Sequence, residues 1–231
     1  MAAKRKTAKK GGGLSFLSFI LWPLKMVLGI VLPFFLLLRG SVTLYEMTEW
    51  NPYLCILAGA VAAMIALYIY LSWMIGHIVS SKKGSETVRK INLRIVLIAV
   101  GGFCVYAIMY LAAGNAKTSS VRDEYGSTHP LIRLGISTFI LFDSDLVVTD
   151  MSRTHFDYET MGLAKKKRSL HFVQSDDYVH AIDLRTNDRS EWRNTLLNWY
   201  FKAMGFRTLR HVGTGDHLHV SLMIHDNPNA L

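Results

Sequence analysis

The sequence predicts an α-helical membrane region of three spans followed by a small α+β domain with an antiparallel sheet. Three observations carry this. Long uncharged apolar runs occur only before residue 114. The charge is divided: residues 1–116 hold twelve Lys/Arg against three Glu, whereas residues 117–231 hold fourteen charges of each sign. Beyond residue 117 the apolar residues fall into short alternating and helical patterns, as in a compact soluble domain.

The spans come first. Residues 14–38, LSFLSFILWPLKMVLGIVLPFFLLL, form an apolar run interrupted by Pro23, Lys25 and Pro33. Residues 52–79 and 95–113 carry no charge at all. Each of these two reaches across roughly 30 Å of hydrocarbon at about 1.5 Å per residue. A cleaved signal peptide fits poorly, because the first run is long and no small-residue cleavage site follows it.

Charge sets the expected topology. The tail at 1–13 contains KRKTAKK, and the loop at 80–94 carries five Lys/Arg against one Glu. Both belong on the cytoplasmic side by the positive-inside bias. Two crossings must separate them, so the first run spans despite its prolines. The third span then delivers residues 117–231 to the far side. The net charge of +9 thus lies wholly in the membrane half. This argues against a nucleic-acid groove, which needs its cations on a folded face. Membrane lipid is an expected partner. Three spans exceed what a tether needs, which suggests a membrane-protein partner or a homo-oligomer. The spans lack intramembrane acids, which argues against a transport pathway.

Residues 114–128 read as a linker and residues 129–231 as the domain. HPLIRLGISTFILF (129–142) has a helical stripe with Pro at an early position. Residues 143–150 read as a turn and a short β run. Residues 152–169 are loop-like, with room for one helical turn. VHAIDLRT (179–186) reads as a buried strand, and residues 189–206 as an amphipathic helix ended by Gly205. Two adjacent strands follow at 206–213 and 217–224.

The chemistry-bearing residues concentrate in this half. Cys55 and Cys104 both lie in apolar runs, so no disulfide framework or cysteine nucleophile is implied. Eight of the nine histidines lie after residue 117. In GTGDHLHVSL (213–222), His217 and His219 are two apart on a strand and share a face. Asp216 stands three before His219. A catalytic zinc site needs three protein ligands, an open position and a group that takes a proton from water. The partners must come from upstream.

RSLHFVQSDDYVHAIDLRT (168–186) supplies them. Ser169-Leu-His171 and Ala181-Ile-Asp183 resemble the S-x-H…A-x-D motif of the zinc D-Ala-D-Ala carboxypeptidases and L-Ala-D-Glu endopeptidases. That group includes vancomycin-resistance D,D-dipeptidases and phage endolysins and shares its fold with the Hedgehog signalling domain. Its closing motif, D/E-x-x-H or H-x-H, is matched in both forms by Asp216-His217-Leu218-His219. Val148-Thr149-Asp150-Met151-Ser152-Arg153 looks like the family's V-T-S-G-Y-R segment. The resemblance covers roughly 129–223.

The resemblance implies a Hedgehog/DD-peptidase-like fold with Zn2+ held by His171, Asp183 and His219. It implies Asp216 as general base, Arg153 as the substrate or transition-state contact, and His217 as a supporting or substrate-facing residue. One departure stands out: eleven residues, Phe172 to Ile182, separate His171 from Asp183, more than the family has. The insertion brings Asp176, Asp177 and His180. His180 is an alternative first ligand, but its spacing of three from Asp183 places it on the opposite face of a regular strand. His129, His155, His211 and His225 are read as ordinary surface or core residues. KKKR (165–168) is read as a solvated loop that could attract anionic wall polymer. The expected function is a membrane-anchored zinc metallopeptidase acting on peptidoglycan peptides outside the bacterial cytoplasmic membrane. The alternative is a non-catalytic module that docks a membrane assembly onto the wall.

Overall fold

A computed structural model describes residues 13–78, 86–162, 169–213 and 215–222, with side chains from residue 21 onward except at residues 77 and 78. The basic tail up to residue 12, residues 79–85 of the basic loop, KKKR and His225 lie outside the described residues.

Three helices are long and apolar enough to cross a membrane: α1 (Gly13–Thr48), α2 (Pro52–Ile78) and α3 (Glu86–Met109). Two features differ from the expected spans. Helix α1 runs ten residues past the apolar run, and it continues through Pro23 and Pro33. Helix α3 begins at Glu86, so the second half of the basic loop is helical. The extension of α1 has a packing cause, because Val42 and Tyr45 are buried in the polar domain's core. Gly59 brings α2 directly against Leu37 and Ser41 of α1, an approach that no larger residue permits. Asn92 of α3 donates from Nδ2 to Ser72 Oγ of α2 at 2.9 Å, joining two spans by a polar contact.

The stretch read as a linker is folded. It forms a short 3-10 turn at Ala113–Asn115, α4 (Ser119–Asp123), capped by Thr118, and a second 3-10 turn at Glu124–Ser127. From it the buried Tyr125 donates its hydroxyl to Ala107 O at 2.6 Å. Arg133 donates from Nη1 to Ile108 O at 2.7 Å. Carbonyls of the last turn of α3 are therefore satisfied by the domain, where a helix end otherwise leaves them to water.

Helix α5 (Pro130–Ile140) is buried on nearly every side. It packs against all three membrane helices and against α7 (Glu191–Met204). Leu197 and Phe201 of α7, spaced i and i+4, are fully buried; truncating either should cost about 3–5 kcal/mol. Gly205 ends α7 in the left-handed region at φ 102°, and a side chain there would also collide with Arg39 and Val42 of α1.

The sheet has four antiparallel strands in the order β1-β2-β4-β3: β1 (Val148–Asp150), β2 (Ala181–Arg185), β3 (Arg207–His211) and β4 (His217–Ser221). Helix α6 (His155–Thr160) follows β1 and starts with a capping box formed by Thr154 and Asp157. Ile182, Leu184, Leu218 and Val220 face α5 and α7 and belong to one core with Leu37, Leu38, Val42, Cys55, Ile56 and Leu111 of the membrane half. Alternation sends Asp183, His217 and His219 to the other face.

Candidate metal centre

In the β2–β4 register Asp183 lies directly opposite His219, and in the β3–β4 register Leu209 does. His171 comes from the loop before β2, where the Arg153 amide donates to its carbonyl at 2.9 Å. Three atoms converge. His219 Nδ1 is 2.9 Å from Asp183 Oδ1, His171 Nε2 is 3.4 Å from the same oxygen, and the two nitrogens are 3.2 Å apart. Ligand atoms held tetrahedrally at about 2.0–2.2 Å from one zinc ion stand roughly 3.3–3.6 Å from each other, so the donor set fits a small divalent metal with modest adjustment.

The surrounding groups fix these ligands. His171 Nδ1 lies 2.6 Å from the Met151 carbonyl and must donate to it, which leaves the Nε2 lone pair for a metal. Arg153 donates from Nη2 to Asp183 Oδ2 at 2.5 Å and from Nε to Asp150 Oδ2 at 2.5 Å, over the ring of Tyr158. Asp183 is thereby left with Oδ1 turned toward the histidines. Burial would push the Asp183 carboxyl up, but the neighbouring His171 and His219 and the Arg153 charge hold it well below the usual carboxylate range. It is ionised, as a ligand must be. Tyr158 and Ser169 share a hydrogen bond at 2.5 Å, and Ser169 Oγ accepts from the His171 amide at 3.3 Å, supporting the loop that carries this ligand.

The cluster lies in a cavity of about 230 Å³ whose walls include Arg153, Tyr158, Leu209, His211 and His217. His217 Nε2 is 3.7 Å from Asp183 Oδ2. Its Nδ1 lies 2.5 Å from the Gly215 carbonyl and carries the proton, so Nε2 presents a lone pair beside the ligands. His211 stacks on this ring at 4.7 Å.

No family model, curated protein or solved structure matches this chain. The site's own geometry is therefore what carries its reading.

Of the residues expected at the site, the structure brings His171, Asp183, His219, Arg153 and His217 together. Asp216 lies elsewhere. It accepts from Thr186 Oγ1 at 2.5 Å and from Arg210 Nη2 at 2.9 Å, and Arg210 also pairs with Glu191. The cause is strand parity: residues three apart on a strand face opposite ways, and Asp216 shares the side of Leu218 and Arg210. The hydrogen bonds from Arg210 and Thr186 also hold its carboxyl below the usual range. Arg153, expected to touch substrate, spends two of its donors on carboxylates.

His180 also turns away from the cluster, as its spacing implies. It joins His129 and Asp176 in a second group, with ligand atoms within 4.8 Å of one another. Here the carboxylate is already engaged by several donors. Asp176 accepts from His180 Nε2 at 2.9 and 3.0 Å, from the Tyr45 hydroxyl at 3.3 Å and from the Tyr178 amide at 3.2 Å. Leu131 N donates to His129 Nδ1 at 3.3 Å, which leaves the proton on Nε2, 3.5 Å from Asp176. With Tyr178 and Tyr53 sharing a hydroxyl contact at 3.1 Å, the insertion fastens the domain to α1 and α2.

Proposed function

We propose that this protein is a membrane-anchored, zinc-dependent peptidase that hydrolyses peptide bonds of peptidoglycan stem peptides, with its C-terminal domain on the outer side of a bacterial cytoplasmic membrane. The observation that carries the reading is the convergence of His171 Nε2, Asp183 Oδ1 and His219 Nδ1, with a further histidine lone pair at the cavity edge. The charge bias of the sequence supports the topology, and the motif resemblance supports the substrate.

His171, Asp183 and His219 would hold the ion. When bound, zinc lowers the pKa of a water molecule and polarises the carbonyl under attack. His217 takes over the role first expected of Asp216: its Nε2 accepts the water's proton and returns it to the leaving amine. Arg153 keeps Asp183 ionised and oriented, and its positive charge at the cavity wall offsets charge developing on the carbonyl oxygen.

The test uses the full chain in detergent or nanodiscs. Zinc content is measured, and muropeptide release is assayed for the parent, His219→Ala and His217→Ala. The expectation is one equivalent of zinc, lost with His219→Ala, and hydrolysis lost with either variant. Bound zinc with wall binding but no hydrolysis would select the non-catalytic wall-docking module instead. Folded protein with neither metal nor activity would sink both.

A further inference from the structure

Helix α7 carries an apolar stripe that no part of the described chain covers. Trp192, Leu196 and Trp199, at i, i+4 and i+7, are 65%, 54% and 72% exposed, while Asn194, Leu197 and Phe201 on the other side are buried. Close by in the fold, Leu141 and Phe142 at the end of α5 are also exposed. Two large tryptophans and three more apolar side chains on one side of a small domain are not a scatter of single surface residues.

Their height relative to the spans says what meets them. The Phe142 ring stands 6.2 Å from Phe34, which lies inside the span Leu21–Thr48, and Phe34 is 5.7 Å from Phe103 of α3. Phe142 therefore sits beside membrane-spanning residues. Helix α7 is tied to the same level at both ends. Arg193 Nε donates to Asp143, next to Phe142, at 3.2 Å, and Arg189 also pairs with Asp143. At the other end Gly205 lies against Arg39 and Val42 of α1. From Phe34 to Val42 α1 advances about 12 Å, whereas the 14 residues of α7 extend about 20 Å. A helix of that length with its ends tied to levels about 12 Å apart runs obliquely to the spans rather than along them, with its exposed stripe near their outer end.

We propose that the polar domain is seated on the bilayer through α7, with Trp192, Leu196 and Trp199 entering the interface of the leaflet on the domain's side and Leu141 and Phe142 reaching its apolar edge. The occupant is lipid. The patch continues the surface of the spans through Phe34, and tryptophan rings favour the headgroup level. This seating rests on the spans and the patch and is independent of any catalysis.

The experiment uses the full chain in nanodiscs, one copy per disc. Trp22, Trp50 and Trp73 are changed to Phe, so that emission comes from Trp192 and Trp199. A second version keeps Trp50 alone as reference, since it is exposed at the turn between α1 and α2. Brominated lipid should quench Trp192 and Trp199 roughly twofold more than Trp50, and aqueous iodide should quench them correspondingly less. Independently, Leu196→Cys carrying an environment-sensitive dye, with Cys55 and Cys104 changed to Ala, should shift its emission to the blue in discs. Iodide quenching equal to that of Trp50, with no effect of brominated lipid and no blue shift, overturns the proposal. Protection from both quenchers also overturns it, because protein rather than lipid would then cover the face.

Discussion

Arg153 Nη2 donates to one oxygen of Asp183 while His219 Nδ1 meets the other, so a single carboxylate is divided between a fixed cation and the candidate metal position. Arg153 thus orients a candidate ligand without being one itself. Arg153→Lys should weaken zinc affinity about 10- to 100-fold, because a lysine cannot reproduce the fork that links Asp150 and Asp183. A chelator competition titration reads this. Unchanged affinity would mean that Asp183 is oriented by its strand alone.

His217 and Asp216 are neighbours with opposite expected phenotypes. His217→Ala should keep its zinc and lose roughly 10²- to 10⁴-fold in kcat. Asp216→Ala should keep most of its activity and lower the Tm by a few degrees, since Thr186 and Arg210 lose their acceptor. Kinetics beside a melting curve separates the two. The reverse pattern would return the base role to Asp216.

His129 makes the fold acid-sensitive. Burial, with His180 and Arg133 nearby, pushes its pKa down to about 3, against the opposing pull of Asp176. A histidine depressed in the folded state binds its proton more readily when unfolded. Its contribution to stability is complete above the ordinary histidine value of about 6.5 and is lost progressively as pH falls from there toward 3. His129→Asn retains a capping side chain without titrating. Its stability profile across that window should be flatter than the parent's in thermal unfolding at stepped pH.

Gly205→Ala should destabilise by about 1–3 kcal/mol, since the position is left-handed and faces Arg39 and Val42 directly. Denaturation in a fixed detergent would measure it. A neutral result would mean that α7 does not bear on α1.

Much of this architecture was legible in residue patterns. The spans, the closing helix with Gly205 and the β2 and β4 strands all follow from apolar runs and period. So did the meeting of His171, Asp183 and His219, because a motif set their order and strand parity the shared face of the last two. The same parity already set Asp216 opposite His219, but the D-x-x-H match drew the base role to it. The end of α1 was hidden for a different reason. Hydropathy stops at residue 38, and the last ten residues are helical because the domain buries Val42 and Tyr45. The group around Asp176 was equally out of reach. Its members come from residue 45, residue 129 and the insertion, and nothing local announces that they meet.

Leu38, Val42 and Tyr45 fill the same core as Leu131, Ile182 and Phe201, and the last carbonyls of α3 are capped from Tyr125 and Arg133. The domain is consequently not a passenger on its anchor. A fragment beginning after residue 116 would lack a wall of its own interior and should collect in aggregates. During synthesis the order of events is fixed by the same contact: insertion of the helices must come first, and they serve as the mould on which the polar domain closes.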